Sequence, residues 1–363
     1  MGAIFGHSGT SADILEEMSG ALSHRGAHAS LQRCRNFALG QRRPAFKNVP
    51  LSTSGGLTVL FDGDLFNKGA LLKLLEMSGH SAASDDDASV IGALYRAFGR
   101  NFPKYIEGNF ALAIVEDETV YLARDPFGVR PLYYFPDGDT FYFSSEMKAI
   151  IPHLEKFAID DESLAERFVF RDHIIGDSTY ILGIKHVPAG GYILRARDAK
   201  VETGSFGRGE YPDLASSDLT SLLRETVERN VAYYMSSGAK VGVLLSGGFD
   251  SSALVSIARA LDAALRTFTI SDDPSFPDII AARDVARHFN TRHEEIIDSG
   301  GASLPDLVEG IGAYEDLFVR YTIFHLTRAM AGKVELGMSG TGADLLGMPP
   351  LARDTNYNSM LDR

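Results

Sequence analysis

A short run of serine, glycine and aspartate residues follows an apolar stretch in the second half of the chain. This run, residues 246–252, reads Ser-Gly-Gly-Phe-Asp-Ser-Ser. Glycine lets a backbone approach an anion closely, and serine hydroxyls and the first amides of a helix can donate hydrogen bonds to phosphate oxygens. A carboxylate beside phosphate is expected to hold a divalent cation, so Asp250 is predicted to bind magnesium. The pattern predicts a polyphosphate site, and the alternative is an ordinary turn with a helix cap at Asp250 and Ser251.

The elements around this run must place its polar groups at one edge of a sheet. Residues 241–245 are apolar and typical of a strand buried on both faces of a parallel sheet, and residues 253–261 continue as a helix. Further along, the sequence predicts a strand at 265–270, a helix at 279–289 and a strand at 293–297. Alternating strands and helices predict an α/β doubly wound domain, with ligands bound beyond the carboxyl ends of the strands.

The run at 246–252 resembles the PP-loop of the ATP pyrophosphatase superfamily, which binds the pyrophosphate part of ATP. It lacks the glycine-lysine-serine ending of the Walker P-loop. The resemblance implies that ATP is cleaved between its α and β phosphates, so that a substrate is adenylated and pyrophosphate leaves. It also implies ATP and Mg²⁺ as cofactors.

The first half of the chain has a different pattern, in which short apolar strands are separated by a few helices. The strands are predicted at 2–6, 37–40, 56–64, 110–115, 119–124 and 140–145. Apolar residues repeat at helical spacing in 11–23, 67–77 and 88–98, and a further short helix is predicted at 165–170. This pattern predicts an α+β sandwich with helices covering the sheets.

This half resembles the class II glutamine amidotransferase domain of asparagine synthetase B, which has an Ntn-hydrolase fold. The resemblance rests on blocks in the family's order: residues 2–6, His24-Arg25-Gly26, Arg42-Arg43, 62–67, Asp87, 124–134 and 144–149. The domain that follows matches the ATP-binding half of the same family. The predicted domains are residues 1–208, an Ntn-type glutaminase-like domain, and residues 209–363, the PP-loop domain, joined by a linker at 203–213.

The glutaminase-like domain departs from the family at its reactive residues. The family uses an N-terminal cysteine as nucleophile, whereas Gly2 stands at that position and Cys34 is expected in a surface turn or strand. The family's Asn-Gly-Glu is here Asp62-Gly63-Asp64, which places a carboxylate where an oxyanion is stabilised. No catalytic residue is assigned, and this domain is predicted to be inactive.

Other matching positions are predicted to be structural. Arg43, Asp62, Gly63 and Asp87 form a predicted vestigial glutamine site. Residues 124–130, punctuated by proline and glycine, are predicted to form a buried ion-pair turn.

A second glycine-rich segment, residues 339–344, resembles the second signature of the family. There Asp344 is predicted as the second magnesium ligand, while Thr341 replaces the family's glutamate. Asp278 begins the helix after the segment that binds adenine in the family, and it is either part of that segment or a helix cap. The residues predicted to bind the nucleotide are Ser246, Gly247, Gly248, Asp250, Ser251, Ser252, Ile270, Ser339 and Gly340.

Composition limits the class of protein. The 363 residues carry a net charge of −13, which argues against a nucleic-acid or anionic-membrane partner. The single cysteine excludes an intramolecular disulfide, and a cytoplasmic protein is expected. The family continues into a helical C-terminal portion that has no counterpart here. Either this chain is truncated, or a homodimer or another partner supplies that portion, or the site binds ATP without completing the reaction.

Together these features predict an asparagine synthetase-like, ATP-dependent carbon–nitrogen ligase. It would adenylate a small-molecule or peptide carboxylate and transfer it to ammonia or a substrate amine, without glutamine hydrolysis. A relationship to β-lactam synthetase and lasso-peptide cyclases makes amide closure within one substrate an option. The alternatives are a nucleotide-binding regulatory subunit and a glutamine-hydrolysing asparagine synthase.

Overall fold

The computed structural model describes residues 2–34, 36–47, 51–170, 176–207, 216–298, 303–315 and 321–341. The chain divides into two compact units, Met1–Asp213 and Leu214–Arg363. The boundary predicted at 208/209 falls in residues 208–215, which lie outside the described residues.

The first unit contains two six-stranded antiparallel sheets in its described part. Its strands are β1 Ala3–Ser8, β2 His28–Cys34, β3 Phe37–Arg43, β4 Ser52–Ser54, β5 Leu57–Leu65, β6 Gly108–Glu116, β7 Thr119–Arg124, β8 Tyr133–Asp137, β9 Thr140–Ser144, β10 Lys185–His186, β11 Gly191–Arg195 and β12 Val201–Ser205. Its α-helices are α1 Ala12–Ala21, α2 Lys68–Met77, α3 Asp87–Phe98 and α4 Asp161–Phe170. The strand orders are β10-β8-β9-β1-β3-β2 and β12-β11-β7-β6-β5-β4.

The two sheets face each other, and helices cover their outer faces. Ile4 of β1 packs against Leu60 of β5 in the core between the sheets, whereas its neighbours Ala3 and Phe5 point the other way, onto α1. This alternation follows from the two-residue period of a strand. Helices α2 and α3 cover the outer face of the second sheet. The first unit is therefore the α+β sandwich that the sequence predicts.

Several strands, among them β2 and β8, were not predicted, and two of the predicted segments have clearly different bounds. The linker predicted at 203–213 begins too early, because Thr203 and Ser205 belong to β12, which pairs with β11 at a sheet edge. That strand is largely polar and exposed, so it lacks the apolar alternation by which strands are recognised. Helix α4 starts at Asp161, four residues before the predicted start, with Asp160 accepting a hydrogen bond from the Ser163 amide.

The second unit has a four-stranded sheet whose strand pairs are all parallel in its described part. Its elements are α5 Ser216–Met235, β13 Val241–Leu244, α6 Phe249–Leu261, β14 Arg266–Ser271, α7 Pro277–His288, β15 Arg292–Ile297, α8 Leu304–Tyr314, α9 Tyr321–Met330 and β16 Leu336–Met338. Val243 packs with α6 and α7 on one face, and Phe268 packs with α9 on the other. Helices therefore cover both faces, as in a doubly wound domain.

The strand order of this sheet is β15-β14-β13-β16. The chain moves from β13 towards β14 and β15, and then returns to place β16 on the other side of β13. The direction thus reverses between β13 and β16. In open parallel sheets, the crevice beyond the carboxyl ends of the strands at such a reversal is where ligands bind.

Among the described residues, none of the helices is both long enough and apolar enough to cross a membrane.

Candidate functional site

The turn after β13 is held against α7 by a glycine. Gly247 has a φ of 78°, a region that residues with a side chain seldom adopt. A Cβ atom on Gly247 would lie 2.5 Å from the Cβ of Ala281 and 2.5 Å from the backbone nitrogen of Ala282. Both the backbone conformation and the packing therefore require glycine here, and the turn is fixed close to the surface of α7.

Helix α6 begins directly after this turn with free amide groups. Its cap is Gly248, which has no side chain that could accept hydrogen bonds from the first N–H groups of the helix. The alternative of a cap at Asp250 and Ser251 is therefore wrong, because both residues lie inside the first turn of the helix. The amides and the positive end of the helix dipole are left to attract an anion.

The serines of the turn have different surroundings. The Ser251 side chain is 6 % exposed, and its hydroxyl donates to the Gly248 carbonyl at 3.2 Å and accepts from the Ser246 amide at 3.3 Å. The Ser252 hydroxyl donates to the same carbonyl at 2.7 Å. Ser246 is exposed, and its Oγ lies 3.1 Å from that of Ser251. Ser251 and Ser252 shape the turn, whereas Ser246 is open to a ligand.

A second glycine turn, after β16, lies against the start of α6. A Cβ atom on Gly340 would lie 2.9 Å from the Cβ of Asp250 and 3.1 Å from the backbone nitrogen of Ser251. The hydroxyls of Ser339 and Thr341 lie 2.6 Å apart in this turn. Residues almost one hundred positions apart in the sequence thus meet at the reversal of the strand order.

A cavity of about 310 Å³ opens between the two turns. Its polar lining comes from both turns and includes Asp250, Ser339 and Thr341. Its apolar lining consists of Leu244, Phe268, Ile270, Ile323 and Leu326. A cavity lined by both phosphate-binding groups and apolar side chains has the chemistry needed to bind a nucleotide.

The first unit has a charged cluster around Gly2, which we call the Gly2 cluster: Gly2, His24, Arg25, Asp62, Glu146 and Lys148. Arg25, Asp62 and Glu146 are buried, whereas His24 is exposed. The Gly2 amide donates to Asp62 Oδ1 at 2.9 Å, and the Gly2 carbonyl accepts from Arg25 Nε at 2.6 Å. The Arg25 guanidinium also pairs with Glu146 at 2.9 Å and with Asp62 Oδ2 at 3.4 Å. Both backbone groups of Gly2 are therefore hydrogen-bonded within the protein.

Glu146 contacts the basic side chains of the Gly2 cluster. Burial would raise the pKa of its carboxyl, but hydrogen bonds from Arg25, Lys148 and His24 hold that pKa below the usual value. A Cβ atom on Gly2 would lie 2.7 Å from the Arg42 carbonyl oxygen and 2.9 Å from Asp62 Oδ1. Such approaches are too close for real contacts, so the Gly2 cluster has no room for a side chain at position 2.

Comparison with known proteins agrees with both halves of this description. A family model described as a glutamine amidotransferase domain matches residues 1–206, and one described as asparagine synthase matches residues 222–359. The chain belongs to the asparagine synthetase family. The predicted family and the predicted Ntn-type and PP-loop fold classes are confirmed.

The similar members of the asparagine synthetase family are longer than this chain. Glutamine-hydrolysing asparagine synthetase 1 of Bacillus subtilis (strain 168) is 26% identical over 92% of this chain and 55% of its own length. Glutamine-hydrolysing asparagine synthetase B of Escherichia coli (strain K12) is 27% identical over 95% of this chain and 64% of its own length. The chain thus spans between about half and two thirds of these relatives. Among solved structures, the Bacillus subtilis glutamine phosphoribosylpyrophosphate amidotransferase with ADP and GMP matches at 17% identity and a TM-score of 0.43, over 85% of this chain and 70% of its own.

In this relative of the asparagine synthetases, most of the residues that are predicted to bind the nucleotide lie at one cavity. The residues that line it are Ser246, Gly248, Asp250, Ser251, Ile270, Ser339 and Gly340. Gly247 instead faces α7, and the Ser252 hydroxyl bonds to a backbone carbonyl. Asp344, the second predicted magnesium ligand, lies outside the described residues.

Three further residues of the cavity, Thr269, Ile323 and Leu326, are not among the predicted site residues. Thr269 is buried beside the turn and donates to the Leu245 carbonyl, so it ties β14 to the end of β13. Ile323 and Leu326 belong to α9. The amphipathic pattern of α9 indicates a helix, but it does not indicate that this helix lines the cavity. Asp278 also lines the cavity. It is the second residue of α7, and the cap is Phe276, so its alternative role as a helix cap is wrong.

The residues of the predicted glutamine site have partners within the first unit. Arg43 donates to Ser30 Oγ at 3.2 Å, and Asp87 pairs with Lys68 at 3.3 Å. A Cβ atom on Gly63 would lie 2.4 Å from the Asn109 carbonyl oxygen, so β5 and β6 approach closely there. These contacts are sufficient for a structural role, and the vestigial glutamine site stays a prediction.

The predicted ion-pair turn at 124–130 is built differently. Asp125 accepts hydrogen bonds from backbone amides, including that of Arg130 at 3.0 Å, and Arg124 donates to backbone carbonyls, including that of Gly128 at 2.6 Å. The ion pair runs instead from Arg130 to Asp64 at 2.7 Å. Burial would raise the pKa of the Asp64 carboxyl, but Lys47 and Arg130 hold it below the usual value.

Proposed function

We propose that this chain is an ATP-dependent amide-forming ligase that adenylates a carboxylate and passes it to ammonia or a substrate amine, without taking nitrogen from glutamine. The observation that carries the proposal is the turn at 246–248, held against α7, followed by the uncapped start of α6 at the reversal of the strand order. Such a helix start binds phosphate groups. The named relatives are asparagine synthetases, which supports a carbon–nitrogen ligase.

The proposed reaction has two steps. A carboxylate oxygen of the substrate attacks the α-phosphorus of ATP, the bond from that phosphorus to the bridging oxygen breaks, and pyrophosphate leaves. The nitrogen of the amine then attacks the acyl carbon, AMP leaves with the original carboxylate oxygen, and the amine loses a proton. In this proposal the α6 amides, Ser246 and the turn at Gly340 hold the pyrophosphate part, and the apolar residues that line the cavity hold the base.

Magnesium would neutralise the phosphates in this reaction. The described residues contain no group of three or more His, Cys, Asp or Glu side chains placed to hold a metal ion. Magnesium bound with ATP commonly takes one or two carboxylates and completes its shell with phosphate oxygens and water. Asp250, on the cavity wall, fits this requirement, and Asp344 stays a predicted second ligand.

The first unit is proposed to lack glutaminase activity. Glycine has no nucleophilic side chain, and the Asp62 carboxylate accepts the Gly2 amide at the position where the family stabilises an oxyanion. A carboxylate there opposes the developing negative charge, whereas a donor in an oxyanion hole contributes about 3 kcal/mol. Glutamine-hydrolysing asparagine synthesis is therefore disfavoured, although the relatives carry that name.

A second candidate function is nucleotide binding without turnover, by a regulatory subunit. It is favoured by Thr341, which offers a hydroxyl on the cavity wall where the family has a carboxylate. The expected homodimer or partner and the cytoplasmic location stay predictions.

A screen for pyrophosphate release distinguishes these functions. The chain is incubated with Mg-ATP and a panel of amino acids and peptide acids, each with ammonium or an amine and, separately, with glutamine. We expect release that depends on one class of carboxylate, is lost in Asp250→Ala and persists in Asp272→Ala, an exposed carboxylate that does not line the cavity. ATP binding without release for any acid supports the regulatory subunit, and release of glutamate from glutamine contradicts the inactive glutaminase.

A further inference from the structure

Asp278 stands on the side of α7 that faces the cavity. Positions 278, 281 and 282 lie on one face of a helix, because residues three and four apart are neighbours. Ala281 and Ala282 are the residues against which Gly247 packs. Asp278 is one turn nearer the start of α7, which follows the carboxyl end of β14, so it lies beyond the turn on the ligand side of the sheet. It lines the cavity together with Ser246, Gly248 and Ile270.

The packing of the protein gives this carboxylate no role of its own. Asp278 is exposed and is not the cap of α7. Within the described residues, no ion pair or side-chain hydrogen bond involves its carboxylate. Its acidic neighbours in the preceding loop are different, because Asp272 accepts from Ser271 at 3.4 Å and Asp273 accepts from Ser275 at 2.7 Å. Asp278 is thus a hydrogen-bond acceptor that faces the cavity and is available to a ligand.

The chemistry of the cavity limits what this acceptor can meet. The phosphates must lie at the start of α6, where the amides point, and a bare carboxylate repels phosphate. Apolar residues such as Ile270, which could contact a base, line the same cavity as Asp278. A carboxylate beside the nucleoside end can accept hydrogen bonds from hydroxyl or amino groups, as acidic residues do for ribose in dinucleotide-binding folds.

We infer that Asp278 accepts a hydrogen bond from the nucleoside, from a ribose hydroxyl or from the base amino group, and makes the site select a nucleoside triphosphate over bare polyphosphate. This inference rests on the proposed nucleotide site and adds a residue that determines its specificity. Hydrogen bonds to a charged acceptor that faces a desolvated ligand typically change affinity by about tenfold or more.

The test measures four ligands by calorimetry, each with magnesium: ATP, 2′-deoxy-ATP, ITP and tripolyphosphate. The variants are Asp278→Ala and the matched control Asp272→Ala, which removes the same charge from the loop that precedes α7. We expect Asp278→Ala to weaken ATP binding about tenfold or more relative to Asp272→Ala, while both variants bind tripolyphosphate equally. If the donor is the ribose 2′-hydroxyl, the wild-type protein should bind 2′-deoxy-ATP more weakly than ATP by the same factor. If the donor is the base amino group, the wild-type protein should bind ITP more weakly than ATP by that factor.

Three results decide against the inference or against its basis. If Asp278→Ala weakens the binding of ATP and tripolyphosphate equally, Asp278 lies at the phosphates or the cation, and the inference is overturned. An unchanged affinity for ATP in a folded Asp278→Ala variant also overturns the inference. Wild-type protein that binds neither ATP nor tripolyphosphate contradicts the nucleotide site and the inference together. Wild-type protein that binds ATP but releases no pyrophosphate contradicts the adenylation reaction alone.

Discussion

Gly247 and Gly248 are adjacent, and the structure predicts opposite consequences for replacing each by alanine. At Gly247 the left-handed backbone conformation costs an alanine about 1–2 kcal/mol. Its Cβ would lie 2.5 Å from the Ala281 Cβ and the Ala282 nitrogen, and overpacking of this kind costs about 1–3 kcal/mol. The sum, about 2–5 kcal/mol, is a large part of the 5–15 kcal/mol by which a domain is typically stable.

At Gly248 the same substitution meets no such obstacle. Its φ of −70° and ψ of 167° suit any residue, and the nearest atom to a new Cβ would be Ser246 Oγ at 3.4 Å, an ordinary contact. Replacing a glycine in a compatible conformation by alanine adds about 0.4–1 kcal/mol of stability, but at a helix cap, where glycine is preferred to alanine, a loss of similar size offsets that gain. The new methyl group would, however, stand on the cavity wall, where phosphate needs close approach to the backbone.

Urea unfolding followed by circular dichroism measures the first effect, because the chain has no tryptophan to serve as a fluorescence probe. Calorimetry with Mg-ATP measures the second. We expect Gly247→Ala to shift the unfolding transition of the second unit to lower urea, and Gly248→Ala to keep that transition while weakening ATP binding about tenfold or more. A Gly247→Ala variant as stable as the wild type would contradict the first prediction. A Gly248→Ala variant that binds ATP as tightly as the wild type would contradict the second.

Three further predictions concern residues with defined surroundings. Gly2→Cys should release no glutamate from glutamine, because its Cβ would collide with the Arg42 carbonyl; glutamate release at a rate dependent on the new thiol would contradict this. Burial, with the nearby Arg124, lowers the pKa of His186 to about 4 from 6.5, so the unfolded chain binds a proton that the folded chain does not. The contribution of neutral His186 to stability is therefore fully present above pH 6.5, and the free energy of unfolding falls by about 3 kcal/mol between pH 6.5 and pH 4. His186→Phe should remove this part of the slope in urea midpoints, and parallel curves would disprove the assignment. Ser251→Ala should weaken ATP binding more than Ser252→Ala, because the Ser251 hydroxyl joins both sides of the turn, and equal effects would argue against it.

The sequence was informative where structure is determined locally. The apolar run before Ser246 and the two glycines predicted a strand, a turn and a helix, because each depends on a few consecutive residues. The same patterns placed six of the twelve strands that the structure describes in the sandwich. A polar edge strand such as Val201–Ser205 has no such pattern, since its pairing with β11 rather than its composition holds it in place.

The remaining features depend on contacts between distant segments. The approach of Gly340 to Asp250, and of Gly247 to Ala281, follows from the order of the strands in the sheet, which no local pattern specifies. Asp278 could be read as a helix cap from its neighbours, whereas its place on the cavity wall depends on how α7 packs. Likewise, the absence of a nucleophile at Gly2 is visible in the sequence, but the hydrogen bond to Asp62 and the lack of room there are not.

The most direct test of adenylation follows an oxygen atom from the carboxylate to AMP. The acid that supports pyrophosphate release is prepared with ¹⁸O in its carboxyl group and incubated with the chain, Mg-ATP and the accepted amine. Because the acyl carbon–oxygen bond breaks in the second step, mass spectrometry should find one ¹⁸O atom in AMP for each amide formed. AMP without label, or label in inorganic phosphate, would contradict activation of the carboxylate at the α-phosphorus.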